Sequence, residues 1–113
     1  MERKANVLGT EYTISFSKLY LDENLKGLDG YVDYSSKKIV IRNPEEIDLI
    51  DDKVSHMKVT ARHELIHAFL YESGLSSSSL PCEFGWADNE EMVDWLAIQL
   101  PKVFDTFIEA EVL

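Results

Sequence analysis

The sequence predicts an α+β fold: a small antiparallel sheet of about three strands packed on a long helix and one or two C-terminal helices. Two observations carry this expectation. Residues 11–42 hold short segments of period-two apolar alternation broken by turn residues, whereas residues 52–110 hold apolar residues at helical spacing. A length of 113 residues fits one domain with one core, so the whole chain, 1–113, is read as a single unit.

Residues 1–10 are expected to form a short lead-in that turns at Gly9. In Glu11–Phe16, Tyr12, Ile14 and Phe16 alternate with Thr13 and Ser15, the pattern of a half-buried strand. Lys18–Lys26 carries Leu19, Leu21 and Leu25 among acidic residues and reads as a short helix or an irregular connection. Residues 30–34 and 38–42 are rich in β-branched and aromatic side chains and flank Ser35-Ser36-Lys37, a hairpin-length loop. Asn43-Pro44 should end the second strand, because proline has no ladder donor.

A long helix should start near Asp52 or Ser55, either of which can cap it, and run to Ser73, with Gly74 as its left-handed stop. Ala61, Leu65, Ile66, Phe69 and Leu70 would give it a broad buried stripe. Residues 74–87 are Ser-rich, contain Pro81 and Gly85, and read as a loop. Asp88 and Glu91 have capping-box spacing and would open another helix that turns Met92, Val93, Leu96, Ala97 and Leu100 inward. Pro101 is expected to kink or restart it before Val103, Phe104, Phe107 and Ile108 carry the period on to Ala110.

Composition narrows the function. Hydrophobic residues make up 45% and charged residues 28%, which is a globular balance. With 21 acidic against 11 basic residues the net charge is −10, a poor match to nucleic acid, which needs clustered Lys and Arg. No apolar run has the length of a membrane span or a signal core, so no membrane partner is expected. The single Cys82 cannot form an internal disulfide, and a reducing cytoplasm is the default location. The acidic residues Glu45, Glu46, Asp48, Asp51 and Asp52 read as solvated surface ahead of the long helix. Trp86, Trp95 and the tyrosines read as core and rim packing.

The most informative stretch is His63-Glu64-Leu65-Ile66-His67. Two histidines four apart on a helix lie about 40° apart around its axis, so both imidazoles can reach one metal ion. Glu64 lies beside that face, where it can hold a water against the ion and act as a general base. A catalytic zinc site takes three protein ligands, so a third must come from another element. Glu90, Glu91 and Asp94 at the start of the last helix are its natural source. His56 is about 10 Å along the helix from His63, too far to share the ion. It reads as a solvated residue of the first turns.

The motif, followed by Asn89-Glu90-Glu91-Met92-Val93-Asp94, resembles the gluzincin pattern of the thermolysin-like peptidases. The small size, the preceding sheet and Asp94-Trp95-Leu96-Ala97 are similar to compact ImmA/IrrE-type metallopeptidases and small phage-encoded zincins. The resemblance is specific over residues 60–100. It implies Zn²⁺ held by His63, His67 and Glu90, with Asp94 supporting a zinc-bound histidine. One departure is that no later His or Tyr matches the residue that steadies the oxyanion in larger gluzincins. The helix start supports the same ligand: if Asp88 caps and Glu91 closes the capping box, Glu90 is left free to face the metal. Tyr71, one turn past His67, is a candidate oxyanion donor.

The function this implies is zinc-dependent hydrolysis of a protein or peptide substrate, with Glu64 as base, and the resemblance points to an intracellular regulatory protein as that substrate. Two alternatives stand beside it: a zinc-binding module that senses or sequesters a partner without catalysis, and a metal-free structural protein of a phage or mobile element. An extended substrate would pair with an open sheet edge, for which the 38–42 strand is the first candidate.

Overall fold

The computed structural model of the chain describes residues 2–43, 52–78 and 85–113. Pro44, the acidic residues Glu45, Glu46, Asp48 and Asp51, and Pro81 and Cys82 lie outside the described residues. The architecture is α+β, with a mixed sheet of four strands in the order β1-β2-β4-β3. The strands are β1 (Glu2–Val7), β2 (Thr10–Ser17), β3 (Gly30–Asp33) and β4 (Lys38–Arg42), and the helices are α1 (Lys53–Glu72), the one-turn α2 (Leu75–Ser78) and α3 (Glu90–Glu109). No helix among the described residues is long and apolar enough to cross a membrane.

The expected sheet of three antiparallel strands is corrected in two ways. The lead-in is a strand: β1 pairs antiparallel with β2 from Glu2 opposite Ser15 to Val7 opposite Thr10. Its period is hidden because β1 is an edge strand with mostly polar side chains, and only Val7 is fully buried. Leu8 and Gly9 both take positive φ, 52° and 93°, as a two-residue hairpin turn requires. Second, β4 runs parallel to β2, in register from Thr13 opposite Lys38 to Ser17 opposite Arg42. After β2 the chain crosses through two single turns of 3-10 helix, Leu19–Leu21 and Glu23–Leu25, lays β3 at the far edge, and returns β4 between them. The β3–β4 hairpin itself is as expected, with Gly30 opposite Ile41 and Asp33 opposite Lys38. A central position explains why Ile39, Val40 and Ile41 are all buried, since a strand paired on both sides can cover both faces.

α1 lies across one face of the sheet. Tyr12, Ile14, Ile39 and Ile41 form the core with Val7 and Ala68, and Met57, Ala61 and Leu65 pack against it. Asp52 caps the helix by accepting from Ser55 N at 2.9 Å, and Gly74 takes φ 84° just past its end. The expected apolar stripe divides. Ala61 and Leu65 meet the sheet, but Ile66, Phe69 and Leu70 line an open apolar groove of about 580 Å³ with Leu100, Pro101 and Phe104, and Phe69 is 41% exposed. Trp86 and Trp95 are likewise about half exposed, so they are rim residues and not core. Gly30 allows β3 its close approach to α1, because a Cβ there would come within 3.0 Å of Val40 O and 3.1 Å of Thr60 Cγ2.

α3 runs through Pro101 as one helix, so the expected restart does not occur. Proline at 101 removes the N–H that would bond the Ala97 carbonyl one turn back. The Arg62 guanidinium takes its place, with Nε donating to Ala97 O at 2.6 Å. This bond also ties α3 to α1 one residue from His63. Replacing Arg62 by Met keeps the stem and strands the carbonyl, which should cost about 1–3 kcal/mol. Thermal unfolding of the metal-free protein measures it, and an unchanged Tm would show that Arg62 does not have this role.

Candidate metal centre

His63 and His67 leave α1 on its edge beside β3, away from the side that Ala61, Leu65 and Ala68 turn to the sheet. Their ring centroids are 4.8 Å apart and the two Nε2 atoms 3.1 Å apart. Glu90, the first residue of α3, reaches both: Oε2 lies 2.9 Å from His63 Nε2 and Oε1 lies 2.8 Å from His67 Nε2. Among the described residues these three form the one group of His, Cys, Asp or Glu side chains arranged to hold a metal ion.

The donor set fits a small dication. Ligand atoms of a tetrahedral zinc site lie about 3.3 Å from one another, given bonds of about 2.0–2.1 Å. The two imidazole nitrogens are 3.1 Å apart, each has a Glu90 oxygen within 2.9 Å, and one ligand atom from each residue lies within 4.8 Å of the others, a spread one ion could draw together. His63 Nδ1 lies 2.6 Å from Asp94 Oδ1, which can accept its N–H and so leave Nε2, on the side of Glu90 and His67, for a metal. Burial lowers the pKa of His67, against the attraction of Glu90, and so favours the neutral ring that a metal needs.

Glu64 is 8% exposed and lines two adjoining cavities beside the cluster. Burial pushes its carboxyl up to about 7; the nearby carboxylates of Glu90 and Asp94 add to this and His63 opposes it. A carboxyl poised near neutrality, beside three ligand atoms, is suited to move a proton in either direction. One cavity, of about 400 Å³, is walled by β3 and by Tyr34. The other, of about 500 Å³, is walled by Asp29, His56 and Ile98.

All five residues expected at the site are therefore together: His63, Glu64, His67, Glu90 and Asp94. The helix start differs in detail. Asn89 is the cap, accepting from Met92 N at 2.8 Å, in place of Asp88. Glu91 is not engaged by the cap; it faces an outer surface with Met92 and Trp95. Glu90 is thus brought to the histidines by its place as the first helical residue. His56 pairs with Asp29 at 3.1 Å and takes no part in the cluster. Tyr71 lines neither cavity and stacks on Tyr34 at 4.2 Å; the tyrosines that line the cavity beside Glu64 are Tyr31, whose hydroxyl is taken by Asp22, and Tyr34. Nothing in the local pattern marks Tyr34, because only the crossing of β3 to the outer edge brings the hairpin beside α1.

Comparison with known protein families, with curated proteins and with solved structures finds no match to this chain.

Proposed function

We propose that this chain is a zinc-dependent peptidase of minimal zincin type that cleaves a bond in an extended protein or peptide segment. The observation that carries this reading is the buried Glu64 beside the His63, His67 and Glu90 ligand set, lining the cavities next to it. A non-catalytic zinc site has no need of a buried carboxyl next to its ligands, where burial costs free energy.

His63, His67 and Glu90 would hold the ion, and Asp94 keeps the His63 ring in its binding tautomer. When bound, zinc supplies Lewis acidity, making water acidic enough to ionise near pH 7 and polarising a carbonyl. Glu64 takes one proton from water as the water oxygen attacks the peptide carbon. It then passes that proton to the departing amine nitrogen as the C–N bond breaks. Substrate binding is expected along β3. The 38–42 strand considered at first is β4, which is paired on both sides, whereas β3 has an open edge and walls the cavity next to Glu64.

A purified sample given one equivalent of zinc should hydrolyse fluorescein-labelled casein. Stripping the metal with a chelator should stop the reaction, and zinc should restore it. Hydrolysis that continues unchanged in stripped protein would rule out the proposal.

A further inference from the structure

Residues 73–113 contain neither a histidine nor a tyrosine. Tyr34 stands at the start of the β3–β4 turn and lines the cavity of about 400 Å³ together with Glu64, His67 and Glu90. We infer that Tyr34 is a catalytic residue of the proposed reaction, donating its phenolic O–H to the substrate carbonyl oxygen as that oxygen becomes an anion. This rests on the peptidase reading above.

Tyr12 donates to Glu72 Oε1 at 2.8 Å and Tyr31 donates to Asp22, but among the described residues no hydrogen bond claims the Tyr34 hydroxyl. The ring, by contrast, is held firmly. It stacks on Tyr71 with planes 13° apart, and Lys37 Nζ sits 5.0 Å from the centre of the Tyr71 ring. The same lysine pairs with Glu72 Oε1 at 2.7 Å and fastens the turn to the end of α1. Within the turn, Asp33 Oδ1 accepts from Ser35 N at 3.0 Å, Ser35 Oγ at 2.7 Å and Ser36 N at 3.3 Å. A fixed ring with an uncommitted hydroxyl is a preorganised donor.

In the metal-free protein burial, then the carboxylates of Asp88, Glu64 and Glu90, push Tyr34 up to about 12. During the reaction the π pair of the C=O bond moves onto its oxygen as the water oxygen bonds to carbon. Tyr34 hydrogen-bonds that oxygen and keeps its own proton throughout. The pair returns to carbon as the C–N bond breaks.

The test compares zinc-loaded wild type with Tyr34→Phe, and with Tyr20→Phe at an exposed, remote position. The probes are labelled casein for turnover and an N-phosphoryl dipeptide, a tetrahedral anion, for binding by calorimetry. Tyr34→Phe keeps the stacked ring, so it should keep one zinc and the wild-type Tm. Its apparent kcat should fall by about 10²–10³-fold with little change in KM. Its affinity for the phosphoryl dipeptide should fall by about 10–100-fold, the worth of a charge-assisted hydrogen bond. Tyr20→Phe should match wild type in both. Tyr34→Phe within about threefold of wild type in binding overturns the inference, since a packing role needs only the ring. Wild-type protein that holds zinc without binding the phosphoryl dipeptide overturns it as well. Wild type that binds the anion but leaves casein intact counts against the peptidase reading, and the binding comparison still decides the role of Tyr34.

Discussion

Glu64→Gln should lower casein hydrolysis by about 10²–10⁴-fold, the usual worth of a positioned general base. The protein should still carry one zinc, because Glu64 is not among the three ligand-set residues. The neutral amide keeps the shape of the side chain and removes its ability to take a proton. Residual activity equal to wild type would mean that some other group is the base. The same substitution has a second consequence in metal-free protein. Burial holds Glu64 protonated up to about pH 7, against an ordinary value of 4.5. The folded state therefore binds this proton more tightly than the unfolded state does. Its contribution to stability is complete below pH 4.5 and declines as pH rises through about 7. The full decline is on the order of 3 kcal/mol, taking about 1.4 kcal/mol per unit of pKa. Glutamine does not ionise, so Glu64→Gln in chelator-treated protein should melt higher than wild type at pH 8 and equal to it at pH 4. Equal melting at both would show that Glu64 ionises freely in the fold.

Glu90→Gln is expected to have the largest effect on metal affinity. Glutamine can reach the same nitrogens but offers a neutral oxygen, a weak ligand for zinc. The loss should exceed the about 10–100-fold that removal of an outer partner, as in Asp94→Asn, usually costs. Glu91→Gln should match wild type, because Glu91 faces away from the histidines. Stability follows affinity. Zinc at about a thousand times its Kd adds about 4 kcal/mol to the folded state, which in a domain of this size raises Tm by roughly 15 °C. Zinc titration followed by thermal unfolding reads both effects. A Glu90→Gln variant with the wild-type zinc response would remove Glu90 from the ligand set.

The site was legible because its residues obey local rules. A four-residue spacing on a helix brings His63 and His67 to one edge wherever the helix lies, and Glu64 follows from being next to one of them. Glu90 and Asp94 were legible as a pair one turn apart at a helix start, although the cap proved to be Asn89 and not Asp88. What failed was set by partners distant in sequence. β1 has too few apolar residues to show a period, yet it gains a ladder from β2. The parallel pairing of β2 with β4 depends on where the 18–29 connection carries the chain, and its two short turns leave no periodic trace. Pro101 argues for a break only while its orphaned acceptor is ignored; Arg62, on another helix, supplies the donor. The stripe on α1 was read as buried because apolar residues were counted around the helix, but the groove beside Phe69 and Phe104 stays open. Tyr34 was not singled out because what brings it beside Glu64 is the sheet order, which no local pattern carries.

The most direct measurement is the X-ray absorption fine structure of protein loaded with one equivalent of zinc, recorded for wild type and for Glu90→Gln. Wild type should show two imidazole nitrogens at about 2.0–2.1 Å and a carboxylate oxygen at about 2.0–2.2 Å, with further light-atom scattering from solvent. The variant should lose the carboxylate oxygen or fail to retain the ion. A zinc shell without paired imidazoles, or one identical in the two proteins, would contradict a metal centre built from His63, His67 and Glu90.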